Sequence, residues 1–433
     1  MRSRRSFRHP QKLPRNCASL SSCLRSLSCS LLLLGLCAVS TNAQAQSDIV
    51  TTKPYATLDR QSVTYRGPVA SAEKDLPGST AVIGMILPLK GPQQWEGKAL
   101  LSAAQVAIEE EQSHGPLPDG RQLELVVRDE SGPWGQASTE ILRLFEQDHA
   151  LVILTSANGA SAHLAEQIAN KISIPILTLS SDPSTTQANV PWLFRLGPSD
   201  ADQARAFCHR IYSELGLRRV LLVVQTDHDG KTGAAAFEKE ARAFDAAPPI
   251  RFELTGLAAD SESFQETLKA TEPEAIVVWA DAPVADELLP LVRNTRRVTP
   301  VFLCRKAAQL DTRYVQTDSG AAKQQTQISE ELFTVDSSEP VQISAHSQFG
   351  QLYFARTGTY PGLAARDTYD AVHMIAAALR STGANRVLLR DFFASEGKFP
   401  RVEGRPPFDP AGNSLQAFTI VNLQAPGPIK PKP

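Results

Sequence analysis

From Ala81 to Val421 short apolar runs bounded by turn-forming residues alternate with longer segments whose apolar residues recur on one helical face. The runs read as strands at Ala81–Leu87, Leu123–Arg128, Leu151–Leu154, Ile174–Leu179, Val220–Val224, Ala275–Trp279 and Val301–Leu303. Between the first two, 97–112 places Leu100, Ala104, Ala107 and Ile108 along one face of a helix. After Arg305 the rhythm weakens through 307–329, then helices resume over 341–355 and 366–380, and a last strand is expected at Leu415–Val421. Strand–helix alternation of this kind buries parallel strands beneath helices on both faces, so the predicted class is α/β. A chain of 433 residues exceeds one typical domain, and two lobes or more are expected.

The run Ile174-Pro175-Ile176-Leu177-Thr178-Leu179 ends abruptly in Ser180-Ser181-Asp182-Pro183. Open α/β sheets hold small ligands outside the carboxyl ends of their strands, so this polar strand end points to recognition of a small molecule.

The first 45 residues are of another kind. Arg2, Arg4, Arg5, Arg8, Lys12, Arg15 and Arg25 come with no acid, followed by the apolar run Leu31–Val39 and Ala43-Gln44-Ala45. A basic start, an apolar stretch too short to span a bilayer comfortably and a small-x-small site predict a secretory signal cut after Ala45. Ser3-Arg4-Arg5-Ser6-Phe7 resembles a twin-arginine signal, although the arginine pair lies far from the apolar core. Cys37 stands where a lipoprotein cysteine would, but Leu36 is large for the position before it, which makes a lipid anchor the lesser expectation. The expected location is periplasmic. Without the leader, 37 basic residues face 46 acidic ones, a net charge of −9, and this argues against nucleic acid as a partner. Four of the six cysteines leave with the leader, so Cys208 and Cys304 remain. They could pair in an oxidising compartment, yet a core of this size needs no staple. Residues 46–79 read as a linker and the Pro-rich 425–433 as a disordered tail.

Enzyme motifs fail on spacing. Gly91 and Gly97 are separated by five residues, and Ala99 stands where a phosphate loop needs a hydroxyl. What survives is a loop feeding a helix amino terminus, which can present amides to a ligand. No Cys/His set has zinc spacing, no Gly-x-Ser-x-Gly elbow surrounds a serine, and neither metal nor cofactor is expected. Asp227-His228-Asp229-Gly230 fits a turn better than an acid–base pair. Trp279 closes an apolar strand with Asp281 two residues on; core packing and ligand stacking both remain open for the tryptophan.

The order and spacing of several segments resemble type I periplasmic binding proteins of ABC importers, of the leucine/isoleucine/valine type. The marks are Ile83-Gly84-Met85-Ile86-Leu87-Pro88-Leu89-Lys90-Gly91-Pro92, Ala104–Glu110, Leu123–Glu130, Ile174-Pro175 with its Ser-Ser-Asp-Pro end, Phe194-Arg195, Tyr369-Asp370-Ala371-Val372 and Phe408-Asp409-Pro410-Ala411-Gly412. The resemblance runs from about residue 80 to 422. It implies two Rossmann-like lobes with parallel sheets joined by three crossovers, near 195–198, 328–332 and 400–406. Lobe 1 would hold 80–196 and 331–400, and lobe 2 would hold 197–330 and 401–424.

The implied ligand positions carry over unevenly. Asn158-Gly159 stand where relatives have a serine pair, and backbone amides there could bind a carboxylate. Ser180 and Ser181 match the turn that supplies a carbonyl and hydroxyl to the ligand, with one residue deleted. Before Gly97 this chain has Glu96 in place of an aromatic residue, with Trp95 one step back, and Asp229 falls near a tyrosine that covers ligand in relatives. Arg305 aligns roughly with the acid that pairs a ligand's amino group, a role closed to a guanidinium. The expected ligand therefore carries an extra acid group or lacks an ammonium, unless Arg305 is a misaligned surface residue. Trp95, Asn158, Gly159, Ser180, Ser181, Asp229, Trp279, Asp281 and Arg305 are the candidate contacts. The resemblance implies a monomeric, non-enzymatic solute-binding protein that delivers a small polar ligand, amino acid-like or a carboxylate, to a permease at the inner membrane. A periplasmic sensor or cell-envelope scaffold on the same fold is the alternative.

Overall fold

The structure is a computed structural model that describes residues 76, 78–133, 135–188, 190–255, 257–293, 299–309, 332–337, 347–394 and 408–423, all within the compact unit Gln61–Pro433. The expected leader, most of the linker, the tail, the crossover near 400–406 and, save Leu332, that near 328–332 lie outside these residues.

The first sheet is built from β1 (Thr80–Leu87), β2 (Gln122–Asp129), β3 (Val152–Thr155), β4 (Ile176–Thr178) and β5 (Leu193–Arg195), in the order β2-β1-β3-β4-β5 and parallel throughout. Its helices are α1 (Gln94–Ser113), α2 (Gln136–Glu146), α3 (Gly159–Ile172) and the short α4 (Ser184–Gln187). The second sheet takes β6 (Val220–Gln225), β7 (Ile250–Leu254), β8 (Ala275–Trp279), β9 (Val301–Leu303), β10 (Leu332–Ser337) and β11 (Phe418–Asn422), in the order β11-β10-β9-β8-β6-β7. All its pairs are parallel except β10 with β11. Helices α5 (Asp200–Cys208), continued by a π-helical stretch His209–Glu214, α6 (His228–Ala243), α7 (Leu257–Thr271) and α8 (Ala282–Arg293) accompany it. The chain then returns to the first lobe as α9 (Gln348–Thr357), α10 (Leu363–Thr382) and α11 (Arg386–Ala394), with α10 packed along α1.

Both sheets reverse strand order once, between β1 and β3 in the first lobe and between β6 and β8 in the second. A crevice opens where the connections diverge to opposite faces, and the helices that leave these strands carry their amino termini to it. Hence α1 and α3 of one lobe, and α6 and α8 of the other, feed one cleft.

Two of the expected boundaries move. Leu332–Ser337, assigned to lobe 1 from the sequence, is a buried strand of the second sheet, between β9 and β11. Residues 408–413, assigned to lobe 2, remain with lobe 1: Arg195 N donates to Gly412 O at 2.7 Å, and the Phe408 ring packs 5.1 Å from Phe194. The last passage between lobes lies after Asn413. Asp409 forces this course, because its carboxylate accepts the amides of Ala411 and Asn413 and closes a turn against β5. β5 and β7 are strands the periodicity does not predict, and the remaining strand–helix order agrees with it, within two residues at most strand ends. Among the described residues no helix is long and apolar enough to cross a membrane.

Candidate functional site

At the first lobe's rim the turn after β3 is held by buried acids. Glu96, in the first turn of α1, accepts the Ala157 amide at 2.8 Å, and Glu130, just past β2, accepts the Ser156 hydroxyl at 2.5 Å. Burial pushes both carboxyls up, Glu130 to about 7, and each keeps one oxygen without a hydrogen-bond partner. Asn158 then caps α3 by accepting the Ser161 amide at 3.0 Å, which leaves the Gly159 amide free to point across the cleft. Gly97 permits the approach of α1: a Cβ there would lie 2.1 Å from Pro88 O. The glycine-bearing loop singled out in the sequence is therefore a packing device for helix and strand.

The turn after β4 is a closed hydrogen-bond network. Ser180 Oγ accepts the Asp182 amide at 3.2 Å, and Ser181 O accepts the Asp200 amide at 2.7 Å. Asp182 in turn meets the second lobe, where His228 Nε2 lies 2.7 Å from its Oδ2. Burial opposes ionisation of Asp182, but the imidazole and the Ser184 amide outweigh it and hold the carboxyl below its ordinary value.

Across the cleft Asp227 caps α6 by accepting the Gly230 amide at 2.8 Å. Asp229, in the first turn of that helix, reaches the other lobe: its Oδ1 accepts the Gly159 amide at 3.0 Å. Its Oδ2 meets Lys306 Nζ at 2.7 Å, and the same ammonium lies 2.9 Å from Asp281 Oδ1. Burial works against the charge on Lys306, yet Asp229, Asp281 and Glu96 together raise its pKa well above the usual lysine value. One ammonium thus holds two carboxylates of its own lobe and lies within the field of Glu96 from the other.

Of the nine candidate residues, the structure brings Gly159, Asp229 and Asp281 into this cluster. Asn158 positions it as a cap, while Ser180 and Ser181 spend their polar atoms within their own turn and on α5. Trp95 packs its ring against the second lobe's core with Nε1 unpartnered. Trp279 is a core residue and offers no stacking face: it is 2% exposed, sits between Phe207 and Phe237, and donates Nε1 to Asp200 at 3.2 Å. Arg305 is neither on the surface nor available for an acidic ligand. It is buried, with Nη1 2.8 Å from Asp336 Oδ1 and Nη2 2.7 Å from Asp367 Oδ2. Lys306, absent from the sequence-derived set, is the cation of the cleft; its place just past β9 on a strand's carboxyl end was the available signal. Among the described residues no group of three or more His, Cys, Asp or Glu side chains could hold a metal.

Two α/β lobes with parallel sheets, each turning its switch point to a shared cleft, define a type I periplasmic binding protein fold. A periplasmic binding protein family model matches residues 80–404, and the chain belongs to that family. It is similar to the branched-chain amino acid transporter substrate binding protein LivJ of Streptococcus pneumoniae, solved in complex with isoleucine (21% identity, TM-score 0.64, covering 79% of this chain and 99% of that one). It is also similar to the leucine binding protein LivK of Thermotoga maritima (18%, 0.65, 80% and 96%). A third similar structure is an ABC transporter solute binding protein of Rhodopseudomonas palustris with 3,4-dihydroxy benzoic acid (20%, 0.64, 80% and 93%). A search of curated proteins finds no match.

Proposed function

We propose that the chain is an exported, non-enzymatic solute-binding protein that holds a small polar carboxylate in the interlobe cleft and presents it to an ABC permease at the inner membrane. The observation that carries this is the Gly159 amide at the capped amino end of α3, which is directed across the cleft and is paired there with a carboxylate. A helix amino terminus favours an anion through its unpaired amides and its dipole. Isoleucine and 3,4-dihydroxy benzoic acid, the molecules bound by two of the similar structures, both carry a carboxyl group. Affinity comes from buried hydrogen bonds and closure, with no bond made or broken. Calorimetry on the chain lacking its leader, titrated with leucine, benzoate and succinate and with the matching amides, tests the reading. Binding of a carboxylate and not of its amide supports it, and silence towards every carboxylate in both the native chain and an Asp229→Ala variant sinks it.

A second reading, a periplasmic sensor or envelope scaffold, is favoured by one feature: the carboxylate on Gly159 is the protein's own. A fold of this kind can transmit its closed state to a protein partner without carrying a solute.

A further inference from the structure

Asp229 bridges the cleft, and Lys306 of the same lobe holds its carboxylate in place. Asp229 Oδ1 sits 3.0 Å from the Gly159 amide of the opposite lobe, and Lys306 Nζ sits between Asp229 and Asp281 at 2.7 and 2.9 Å. A carboxylate on a helix amino terminus and an ammonium between two acids are together the two ends of an amino acid. We propose that this pair is a built-in occupant of the cleft, filling the anion seat on α3 and the cation seat beside Asp281, so that the lobes close without a solute.

The junction is fitted closely. A Cβ on Gly159 would lie 2.5 Å from Asp229 Oδ1 and 3.0 Å from the His228 ring, so a larger residue must push the carboxylate off the end of α3. His228 Nε2 and Asp182 Oδ2, 2.7 Å apart, add a second link between the same helices' surroundings. Glu96, 2% exposed and with Oε2 unpartnered, is a first-lobe carboxyl whose field adds to those that raise the pKa of Lys306. A carboxylate solute must displace Asp229, and a solute with an ammonium must also compete with Lys306. The cleft as built therefore selects against free amino acids. This selectivity rests on reading the cleft as the solute site, whereas closure without solute does not.

Small-angle X-ray scattering on the full chain lacking its leader, with no added solute, tests closure. The native chain is expected to give the profile of the closed lobes. Asp229→Ala and Gly159→Ala are expected to shift it to a larger radius of gyration with unchanged circular dichroism. Gly159→Ala is informative because its backbone is that of an ordinary helix, where alanine is favoured unless the lobes are together. Acetate added to Asp229→Ala should return the compact profile by taking the vacated seat. A native chain that is open alone and closes with leucine overturns the built-in occupant and leaves the solute-binding reading standing. An Asp229→Ala chain as compact as the native one also overturns it. A compact native chain whose Asp229→Ala variant opens, yet binds no carboxylate by calorimetry, upholds the latch and sinks the solute-binding reading.

Discussion

Arg305 on the second lobe and Asp367 on α10 of the first are joined by a 2.7 Å ion pair, while the other amino group of the same guanidinium holds Asp336. The arginine is thus a strut between lobes. Asp336 is shared with Arg366, which lies 2.6 Å away. Burial opposes ionisation of Asp336, and the two guanidiniums outweigh it, holding the carboxyl below its ordinary value.

Removing the strut takes one charged partner from each of two buried carboxylates, Asp336 and Asp367, and breaking a buried ion pair from one side is costly. Arg305→Met is expected to lower stability by about 3–5 kcal/mol in urea denaturation. Arg305→Lys should recover only part of this, because one ammonium cannot span two carboxylates as a planar fork does. Unchanged stability in Arg305→Met would show that the pair contributes nothing.

Trp279→Phe removes the hydrogen bond to the buried Asp200 while nearly preserving the apolar contacts with Phe207 and Phe237. The expected cost is about 1–3 kcal/mol, read by thermal or urea unfolding. Ligand affinity should stay the same, since the indole presents no face to the cleft. A large loss of affinity at constant stability would return the tryptophan to the binding surface.

Stability should fall as pH rises towards neutrality. Burial lifts Glu130 from 4.5 to about 7 and Asp200 from 3.8 to about 7. Each folded group binds a proton that the unfolded chain has already released, so its contribution is complete below the unfolded pKa and is lost as pH climbs to about 7. Between roughly pH 5 and 7 each such group alone gives a slope of about 1.4 kcal/mol per pH unit. Glu130→Gln should flatten the curve, and denaturation midpoints measured across this range would show whether it does.

Gly233 faces Trp279 so closely that a Cβ would lie 1.8 Å from the indole Nε1. Gly233→Ala must displace the ring or tilt α6, and a loss of about 1–3 kcal/mol is expected despite alanine's better helix propensity. A variant as stable as the parent would mean that α6 moves without cost.

The strands were legible where burial is complete on both faces. Val220–Val224 and Ala275–Trp279 are continuous apolar runs because they lie inside the second sheet. β7 escaped notice because it is an edge strand, with Ile250 and Arg251 exposed and only Leu254 buried. β10 escaped because Thr334 and Asp336 break its apolar run, although every residue in it is buried. At the site, the Asn158-Gly159 turn and Asp229 were readable as polar groups at strand ends. Lys306 offered only its place past a strand end, since its meaning depends on carboxylates 77 and 25 positions away in the chain, and charge neutralisation of that kind exists only once the sheets are assembled.

The late passage of the chain between lobes has a consequence for how the molecule is made. Residues 408–413 dock beside β5, and a few positions later β11 adds to the edge of the other sheet. The second sheet and the cover over β5 therefore both wait for the same late stretch, and a chain still emerging from a ribosome has its second sheet unfinished. Pairings so distant in sequence form slowly. The contacts that complete the second sheet and cover β5 are thus the last to form.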